Sequence, residues 1–301
     1  MELKDPSPVQ KIEDLLFEKA GIELYIKRED LLHPVVSGNK WRKLKYNLIK
    51  ARQNGFKRIL TYGGAYSNHI AAAAWAAKEE GFESIGVIRG EESAELNPTL
   101  NQAKDCGMKF IFLTRQNYRK AGNKNFLEEF ETRFGSFHLI PEGGANLEGI
   151  KGVEELGKEL RRFSHICVPV GTGTTLAGII NGMEDNQFAL GFAILKGECY
   201  LEANVQHLLT GRNTRWQINH DFHFGGYAKH DAELINFINM FKRKTKIQLD
   251  PIYTGKMMFG VFKLIEEGYF HEGNRIVVIH TGGLQGIGGF NQRFGNLIDS
   301  D

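Results

Sequence analysis

Lys40 stands in the run Ser37-Gly38-Asn39-Lys40-Trp41-Arg42-Lys43-Leu44-Lys45-Tyr46. The glycine interrupts the chain ahead of an amphipathic pattern, which puts the lysine in the first turn of a helix. An amine placed there feels the positive end of the helix dipole and two further cations, so its pKa falls. A lysine kept partly neutral near pH 7 is a nucleophile, and the common enzymatic use of one is a Schiff base with a carbonyl compound. The alternative is a solvated basic face at a helix start, and this decapeptide alone leaves both readings open.

Several glycine-rich turns carry further chemistry. Gly171-Thr172-Gly173-Thr174-Thr175 follows the apolar run Ile166-Cys167-Val168-Pro169-Val170 and opens a helix. Glycines let backbone N–H groups converge on one anion, threonine hydroxyls add donors, and the helix start favours negative charge. The turn reads as a phosphate cup. Leu176 stands where a dinucleotide fingerprint needs its third glycine, and no Lys-Ser or Lys-Thr follows as in a Walker loop. A cofactor with one terminal phosphate fits better than NAD or ATP. Gly63-Gly64-Ala65-Tyr66-Ser67-Asn68-His69 also ends a strand and begins a helix, so Ser67 is either an N-cap alone or, with Asn68, part of a seat for a substrate carboxylate. His69 is a capping, core or catalytic histidine. Tyr253, before Gly255-Lys256, and Tyr227, after Phe224-Gly225-Gly226, are singled out by their glycine contexts. Thr281, directly after Ile276-Val277-Val278-Ile279-His280, either caps a helix or donates to a ring nitrogen.

Composition narrows the setting of these turns. A chain of 301 residues, 42% hydrophobic, has enough apolar material for one large or two medium domains. Its 38 basic and 36 acidic side chains leave a net charge of +2, so no general field draws it to nucleic acid or an anionic membrane. Cys106, Cys167 and Cys199 are widely spaced without a CxxC pair, which fits a reducing compartment and offers neither a disulfide framework nor a metal site. The charged N-terminal residues do not resemble a secretion signal, and a cytoplasmic protein is expected. Ile166 to Met183 is uncharged and long enough to span a membrane, but its proline and glycines make it a strand, a turn and a helix.

From about residue 56, β-branched apolar runs alternate with helical periods, the pattern of a parallel α/β sheet. Strands are expected at Arg58–Tyr62, Ser84–Ile88, Lys109–Leu113, His138–Ile140, His165–Val170, Phe188–Leu195, Trp216–Asn219 and Arg275–His280. Helices are expected at Asn39–Asn54, Asn68–Glu80, Glu148–Leu160, Thr174–Met183, Asp231–Lys242 and Gly255–Glu267. Sites in such sheets lie at the carboxyl ends of strands. Five unusual loops fall there: Gly63–His69, Glu142–Asn146, Gly171–Thr175, Tyr253–Lys256 and His280–Gly283. They should outline one cleft.

Taken together, Lys27-Arg28-Glu29-Asp30-Leu31, Gly38-Asn39-Lys40-Trp41-Arg42-Lys43-Leu44, the Gly63–His69 turn, Gly171-Thr172-Gly173-Thr174-Thr175-Leu176-Ala177-Gly178, Asp250-Pro251-Ile252-Tyr253-Thr254-Gly255-Lys256 and His280-Thr281-Gly282-Gly283 resemble, in order, the pyridoxal-phosphate enzymes of the 1-aminocyclopropane-1-carboxylate deaminase and D-cysteine desulfhydrase group. The resemblance runs nearly end to end. It implies an α/β protein of PLP fold type II, the tryptophan synthase β-like fold, with two open, twisted, mostly parallel sheets and flanking helices. Residues 1–47 and 147–301 would form a large cofactor domain, and 48–146 a small domain closing over the substrate. The resemblance assigns the Schiff base with pyridoxal 5'-phosphate to Lys40. It gives the phosphate to Lys43 with Gly171, Thr172, Gly173, Thr174 and Thr175, the ring hydroxyl to Asn68, the substrate carboxylate to Ser67, and the reaction face to Tyr253 and Tyr227. A homodimer acting on a small amino acid is implied, in the lyase or hydrolase classes.

The deaminase branch resembles Tyr-Glu-Gly-Lys with a leucine before the late double glycine; here Thr254 and Thr281 stand at those positions, as in the desulfhydrases. A Thr281 hydroxyl would replace the missing carboxylate as partner of the ring nitrogen. The expected reaction is therefore α,β-elimination from D-cysteine to pyruvate, ammonia and sulfide. Deamination of 1-aminocyclopropane-1-carboxylate to 2-oxobutanoate and ammonia is the alternative. A Rossmann-type oxidoreductase and a non-catalytic cofactor-binding protein are more distant ones. Trp41, Ser37 and Leu284-Gln285-Gly286 depart from the family pattern, and they are expected near the pocket.

Overall fold

The protein is described by a computed structural model over residues 5–33, 36, 38–93, 95–197, 200–211 and 214–299. Ser37 and Cys199 lie outside the described residues. The chain opens with β1 (Val9–Ile12), α1 (Leu15–Ala20), β2 (Glu23–Lys27) and, after a single 3-10 turn, α2 (Asn39–Gln53). There follow β3 (Arg58–Gly64), α3 (Asn68–Glu79), β4 (Glu83–Arg89), α4 (Pro98–Asp105), β5 (Lys109–Leu113), α5 (Arg115–Tyr118), α6 (Lys124–Phe134) and β6 (His138–Ile140). The remainder is α7 (Leu147–Glu159), β7 (His165–Val170), α8 (Thr174–Gly182), β8 (Phe188–Ala193), α9 (Leu201–Leu208), β9 (Trp216–Asn219), α10 (Ala232–Thr245), α11 (Thr254–Glu266), β10 (Arg275–Ile279) and α12 (Gly286–Phe294).

Two sheets result, one of six strands in the order β1-β2-β10-β7-β8-β9 and one of four in the order β5-β4-β3-β6. Every pairing is parallel except β1 with β2, where Val9 faces Lys27 in register. Helices cover both faces of the larger sheet, so after their first residues, His165 and Arg275, β7 and β10 are apolar and buried, as parallel strands between helical layers must be. The uncharged stretch from Ile166 to Met183 divides into β7, a turn and α8. No helix among the described residues is long and apolar enough to cross a membrane.

The strands and helices foreseen from the sequence are present, four strands with the expected bounds and the rest with ends shifted by no more than three residues. Phe188–Leu195 stops at Ala193 because the chain there enters the segment toward α9. β1, β2 and several shorter helices were not foreseen. One expectation is corrected. Trp41 is buried in the core with Leu32, Val36, Leu44, Leu48 and the alanines of α3, and it is absent from the wall of the cleft described below. Helical geometry accounts for this, since successive residues point about 100° apart and Trp41 cannot share the face of Lys40.

α2 runs unbroken from Asn39 to Gln53, and its apolar stripe packs on the four-stranded sheet while its other side lies on α7. The α2–α7 crossing is close because Gly152 presents no side chain: a Cβ there would stand 1.7 Å from the Arg42 carbonyl oxygen. On the next residue of α7, Val153, a Cβ at Gly178 of α8 would impinge at 2.6 Å. Three helices are thereby stacked at glycine contacts, and the position of α2 is fixed from behind. Gly152→Ala should force α2 and α7 apart and destabilise the protein by about 2–3 kcal/mol. Urea unfolding of the variant beside the parent checks this.

Candidate active site

The cleft forms where the carboxyl ends of both sheets meet. Its walls carry Gly64–His69, Glu142–Gly143, Gly171–Gly173 with Thr175, Asp250–Tyr253 and Thr281–Gly283, so all five loops contribute, and its volume is about 510 Å³.

Lys40 enters from the start of α2. Gly38 caps that helix at φ 72°, with its N–H donating to the Glu29 carbonyl at 2.7 Å, and a Cβ at Gly38 would lie 1.9 Å from the Thr281 carbonyl oxygen. Only glycine fits this approach of the α2 start to the Thr281 loop. Asn39 then bridges the site: its amide nitrogen donates to the Thr175 hydroxyl at 2.8 Å, and its amide oxygen accepts from the Lys40 amine at 3.1 Å. Sequence reasoning passed over Asn39, although its place between Gly38 and Lys40 was the available signal. The Lys40 pKa falls from 10.5 to about 8, in the expected direction but for a different reason. Burial lowers it and Asp250 partly opposes the fall; the helix dipole and neighbouring cations are not the main causes. Lys43, one turn on, is held well below its ordinary value by burial and then by Lys40.

Opposite lies the cup. Gly173 caps α8 at φ 85°, and no side chain caps the helix, so its first N–H groups are open. The Thr172 and Thr174 hydroxyls are 3.1 Å apart. Gly171, Thr172, Gly173 and Thr175 line the cleft, whereas Thr174 is fully buried behind them. Asn39 ties the lysine to this cup through Thr175.

On the third wall Ser67 is the N-cap of α3, accepting from the Ile70 N–H at 3.4 Å, so the capping reading holds and the hydroxyl also lies on the wall. Asn68 faces the cleft beside Gly283, where a Cβ would come within 2.9 Å of its amide nitrogen. His69 is buried and its tautomer follows from its partners. The Thr61 hydroxyl donates to the Ile140 carbonyl at 2.8 Å and must therefore accept from His69 Nε2, also at 2.8 Å. That leaves Nδ1 as a bare acceptor, buried and without a partner. Burial and then Lys40 and Lys43 lower the His69 pKa to about 3, so the ring is neutral.

The last wall is built on Asp250. Its carboxylate accepts from the Ile252, Tyr253 and Thr254 N–H groups at 2.8–2.9 Å and from the Thr254 hydroxyl at 2.6 Å. This fixes the start of α11 and stands Tyr253 against Gly171, where a Cβ would be 3.5 Å from the ring. Tyr227 packs edge-on to Tyr253 with centroids 6.4 Å apart. The loop bearing it has positive φ at Phe224, Gly225, Gly226 and Ala228. The Lys256 ammonium holds that loop by donating to the carbonyls of His223 at 2.8 Å and Gly226 at 2.6 Å. Burial pushes the Tyr253 hydroxyl well above the ordinary phenol range. Thr281 lines the cleft, and its hydroxyl has no partner among the described residues.

A half-buried lysine with its pKa lowered to about 8, facing an uncapped helix start across one cleft of an open α/β fold, defines an enzyme that works through a phosphorylated carbonyl cofactor. The chain belongs to the family of pyridoxal-phosphate dependent enzymes, whose model matches residues 2–282. It is 30% identical over 300 residues to a Pyrococcus furiosus protein named "Putative 1-aminocyclopropane-1-carboxylate deaminase", covering 93% of this chain and 90% of that one. It is likewise 30% identical over 297 residues to the mitochondrial bifunctional D-cysteine desulfhydrase/1-aminocyclopropane-1-carboxylate deaminase of Arabidopsis thaliana, covering 89% of this chain and 74% of the relative. The crystal structure of a homologue of 1-aminocyclopropane-1-carboxylate deaminase superposes with a TM-score of 0.86 at 29% identity, over 99% of this chain and 96% of that one. The chain is thus a pyridoxal-phosphate dependent enzyme with the fold of these deaminases. Lyase fits the names of these relatives, and hydrolase, the other reaction class brought in by resemblance, does not.

The Lys40 shift has a consequence for stability in the cofactor-free protein. Its folded pKa, about 8, lies below its unfolded value of 10.5. The unfolded chain therefore binds more protons between those values, and folding of the parent gains as pH rises through that window. Lys40→Met removes the charge. Its stability advantage over the parent should be greatest below pH 8 and shrink steadily toward pH 10.5. Urea midpoints of both proteins at pH 7 and pH 10 measure the change.

Proposed function

We propose that the protein catalyses α,β-elimination from D-cysteine or a related small D-amino acid, converting D-cysteine and water to pyruvate, ammonia and hydrogen sulfide. The observation that carries this reading is the state of two threonines. The Thr281 hydroxyl is free toward the cleft, while Thr254 is spent on Asp250 and takes no place on the wall.

Pyridoxal phosphate, when bound, draws electrons from the α-carbon of an attached amino acid. The residues of this chain do the rest. Lys40, whose pKa of about 8 gives it a far larger neutral fraction at physiological pH than an ordinary lysine, attaches the cofactor and is the base for the α-proton once released. Tyr253 and Tyr227 form the face above it. The raised pKa of Tyr253 keeps its hydroxyl protonated, which suits it to give a proton rather than take one. Lys43 and Gly171, Thr172, Gly173, Thr174 and Thr175 would hold the phosphate, the cup donating backbone N–H groups. Ser67 and the α3 start would hold the substrate carboxylate, Asn68 the ring hydroxyl and Thr281 the ring nitrogen. A hydroxyl, unlike a carboxylate, leaves that nitrogen less protonated, enough for expelling a good leaving group such as thiolate. In this reading 48–146 closes over the substrate held by 1–47 with 147–301, in a cytoplasmic homodimer. Light scattering tests the dimer.

A second reading, opening of 1-aminocyclopropane-1-carboxylate to 2-oxobutanoate and ammonia, is favoured by the names of the archaeal and plant relatives. Products separate the two. Incubated with D-cysteine, the purified yellow protein should release pyruvate and sulfide in equal amounts, and Lys40→Ala should abolish both along with borohydride-trappable cofactor. Full turnover by that variant, or 2-oxobutanoate from 1-aminocyclopropane-1-carboxylate with no pyruvate from D-cysteine, would overturn the proposal. Because only the neutral amine attaches the cofactor, the rate of its incorporation into the cofactor-free protein should climb with pH and level off above about 8. Stopped-flow absorbance follows it.

A further inference from the structure

Beside the carboxylate-binding turn the cleft continues into a second chamber of about 630 Å³, lined by Arg89, Arg115, Tyr118, Arg119 and Glu142. Arg89, Arg115 and Glu142 also line the main cleft, so the two spaces share a wall. Arg89 ends β4 directly beside Gly64 of β3 in register, and its guanidinium nitrogen is 3.6 Å from where a Cβ on Gly64 would stand. Arg115 begins α5 and Arg119 caps its end.

The chemistry of this chamber is one-sided. Several arginines elsewhere in the fold have carboxylate partners, as Arg28 does with Asp30, Arg42 with Glu29 and Arg58 with Glu83, while Arg133, Arg162 and Arg293 lie over aromatic rings. Arg89, Arg115 and Arg119 have none among the described residues, and Arg89 instead lies over the Tyr118 ring at 5.5 Å. Glu142 is the one acidic side chain on the wall, so the balance there is positive. The Tyr118 hydroxyl is buried on the same wall beside the Glu142 carboxylate; burial and then that carboxylate raise its pKa, and the hydroxyl engages part of the one negative charge. Three guanidinium forks around a cavity are a donor set for an oxyanion, and a guanidinium matches the two oxygens of a carboxylate or phosphate. A D-cysteine side chain, one thiol long, has nothing to offer them.

We propose that this chamber is a second anion subsite, and that the preferred substrate is an amino acid whose β-substituent ends in a carboxylate or phosphate. The inference rests on the reading of the main cleft as a small amino-acid site, which it deepens by naming the distal group. The α-carboxylate occupies the α3 start, and the distal oxyanion reaches over Gly64 to Arg89, Arg115 and Arg119.

Two near-isosteric probes test it on the holoenzyme: S-carboxymethyl-D-cysteine, with an anionic tail, and S-ethyl-D-cysteine, with a neutral one. Calorimetric titration should give the anionic probe an affinity about tenfold or more higher, the worth of charge-assisted hydrogen bonds. O-phospho-D-serine, run beside them, shows whether carboxylate or phosphate fits better. In Arg89→Gln/Arg115→Gln, with folding checked by circular dichroism, the preference should collapse through weaker binding of the anionic probe. Equal affinities for the two probes in the parent overturn the inference, and so does equal weakening of both in the variant, which would place Arg89 on the α-carboxylate. The underlying reading fails separately. Pyruvate from D-cysteine with no tail preference sinks only the subsite, whereas a tail preference without pyruvate or sulfide leaves the subsite standing and sinks the elimination.

Discussion

The placement of the site depends on a buried knot of charge behind α2. The Arg42 guanidinium, 2% exposed, meets Glu29 at 3.0 and 3.1 Å, Glu159 at 2.9 Å and Asp5 at 3.2 Å. Lys27, at the end of β2, donates to the other oxygen of Glu159 at 2.6 Å and to the Ser7 carbonyl at 2.8 Å, and the Ser7 hydroxyl closes the ring on Glu29 at 2.6 Å. The N-terminal segment, β2, α2 and α7 are locked together by groups that cannot be separated without stranding a charge. Such a network adds little net stability against an apolar core, but breaking it by removing one partner costs about 3–5 kcal/mol. Its value is geometric, since it fixes the azimuth of α2 and so the direction of Lys40.

That azimuth sorts three neighbouring cations into different roles. Arg42 turns inward to its carboxylates, whereas Lys40 and Lys43, three positions apart on one face, turn to the cleft. A guanidinium stays charged wherever it is put, so it can anchor the knot; an ammonium yields its proton when burial withholds water. Asp250, the carboxylate that opposes the fall of the Lys40 pKa, already accepts four hydrogen bonds at the α11 start. It opposes the fall only in part, and burial prevails.

The sequence showed the parts of this arrangement more readily than their connections. The β7–turn–α8 unit was legible because an apolar run, two glycines and a helical period each say the same thing. The five loops were placed on one cleft because strands of a parallel sheet point their carboxyl ends the same way. β1 and β2 were not legible: Val-Gln-Lys-Ile and Glu-Leu-Tyr-Ile-Lys are short and carry charges, and the lysine ending β2 is buried only because Glu159 lies 132 residues away. A long-range ion pair leaves no local period to read. Trp41 misled for a related reason, since adjacency to Lys40 in sequence suggested adjacency in the pocket, while the helix carries the indole into the core. Arg89 and Arg115 escaped notice because nothing in sequence marks an arginine as unpaired.

Thr254 and Thr281 show how one substitution pattern divides into two physical roles. From sequence they formed a pair of coordinated changes around the ring nitrogen. In the fold Thr254 is fully buried, and its hydroxyl both donates to the Asp250 carboxylate and accepts from the Asp250 N–H at 2.9 Å. A glutamate at that position could not make this closed pair and would have to send its carboxylate elsewhere; the threonine instead reinforces the helix start that carries Tyr253. Thr281 sits on the strand-end loop whose carbonyl presses on Gly38, so its hydroxyl is set by the same contact that sets the lysine. The lysine and the hydroxyl proposed for the ring nitrogen thus share one backbone contact, and a shift of either loop would disturb both ends of the cofactor together.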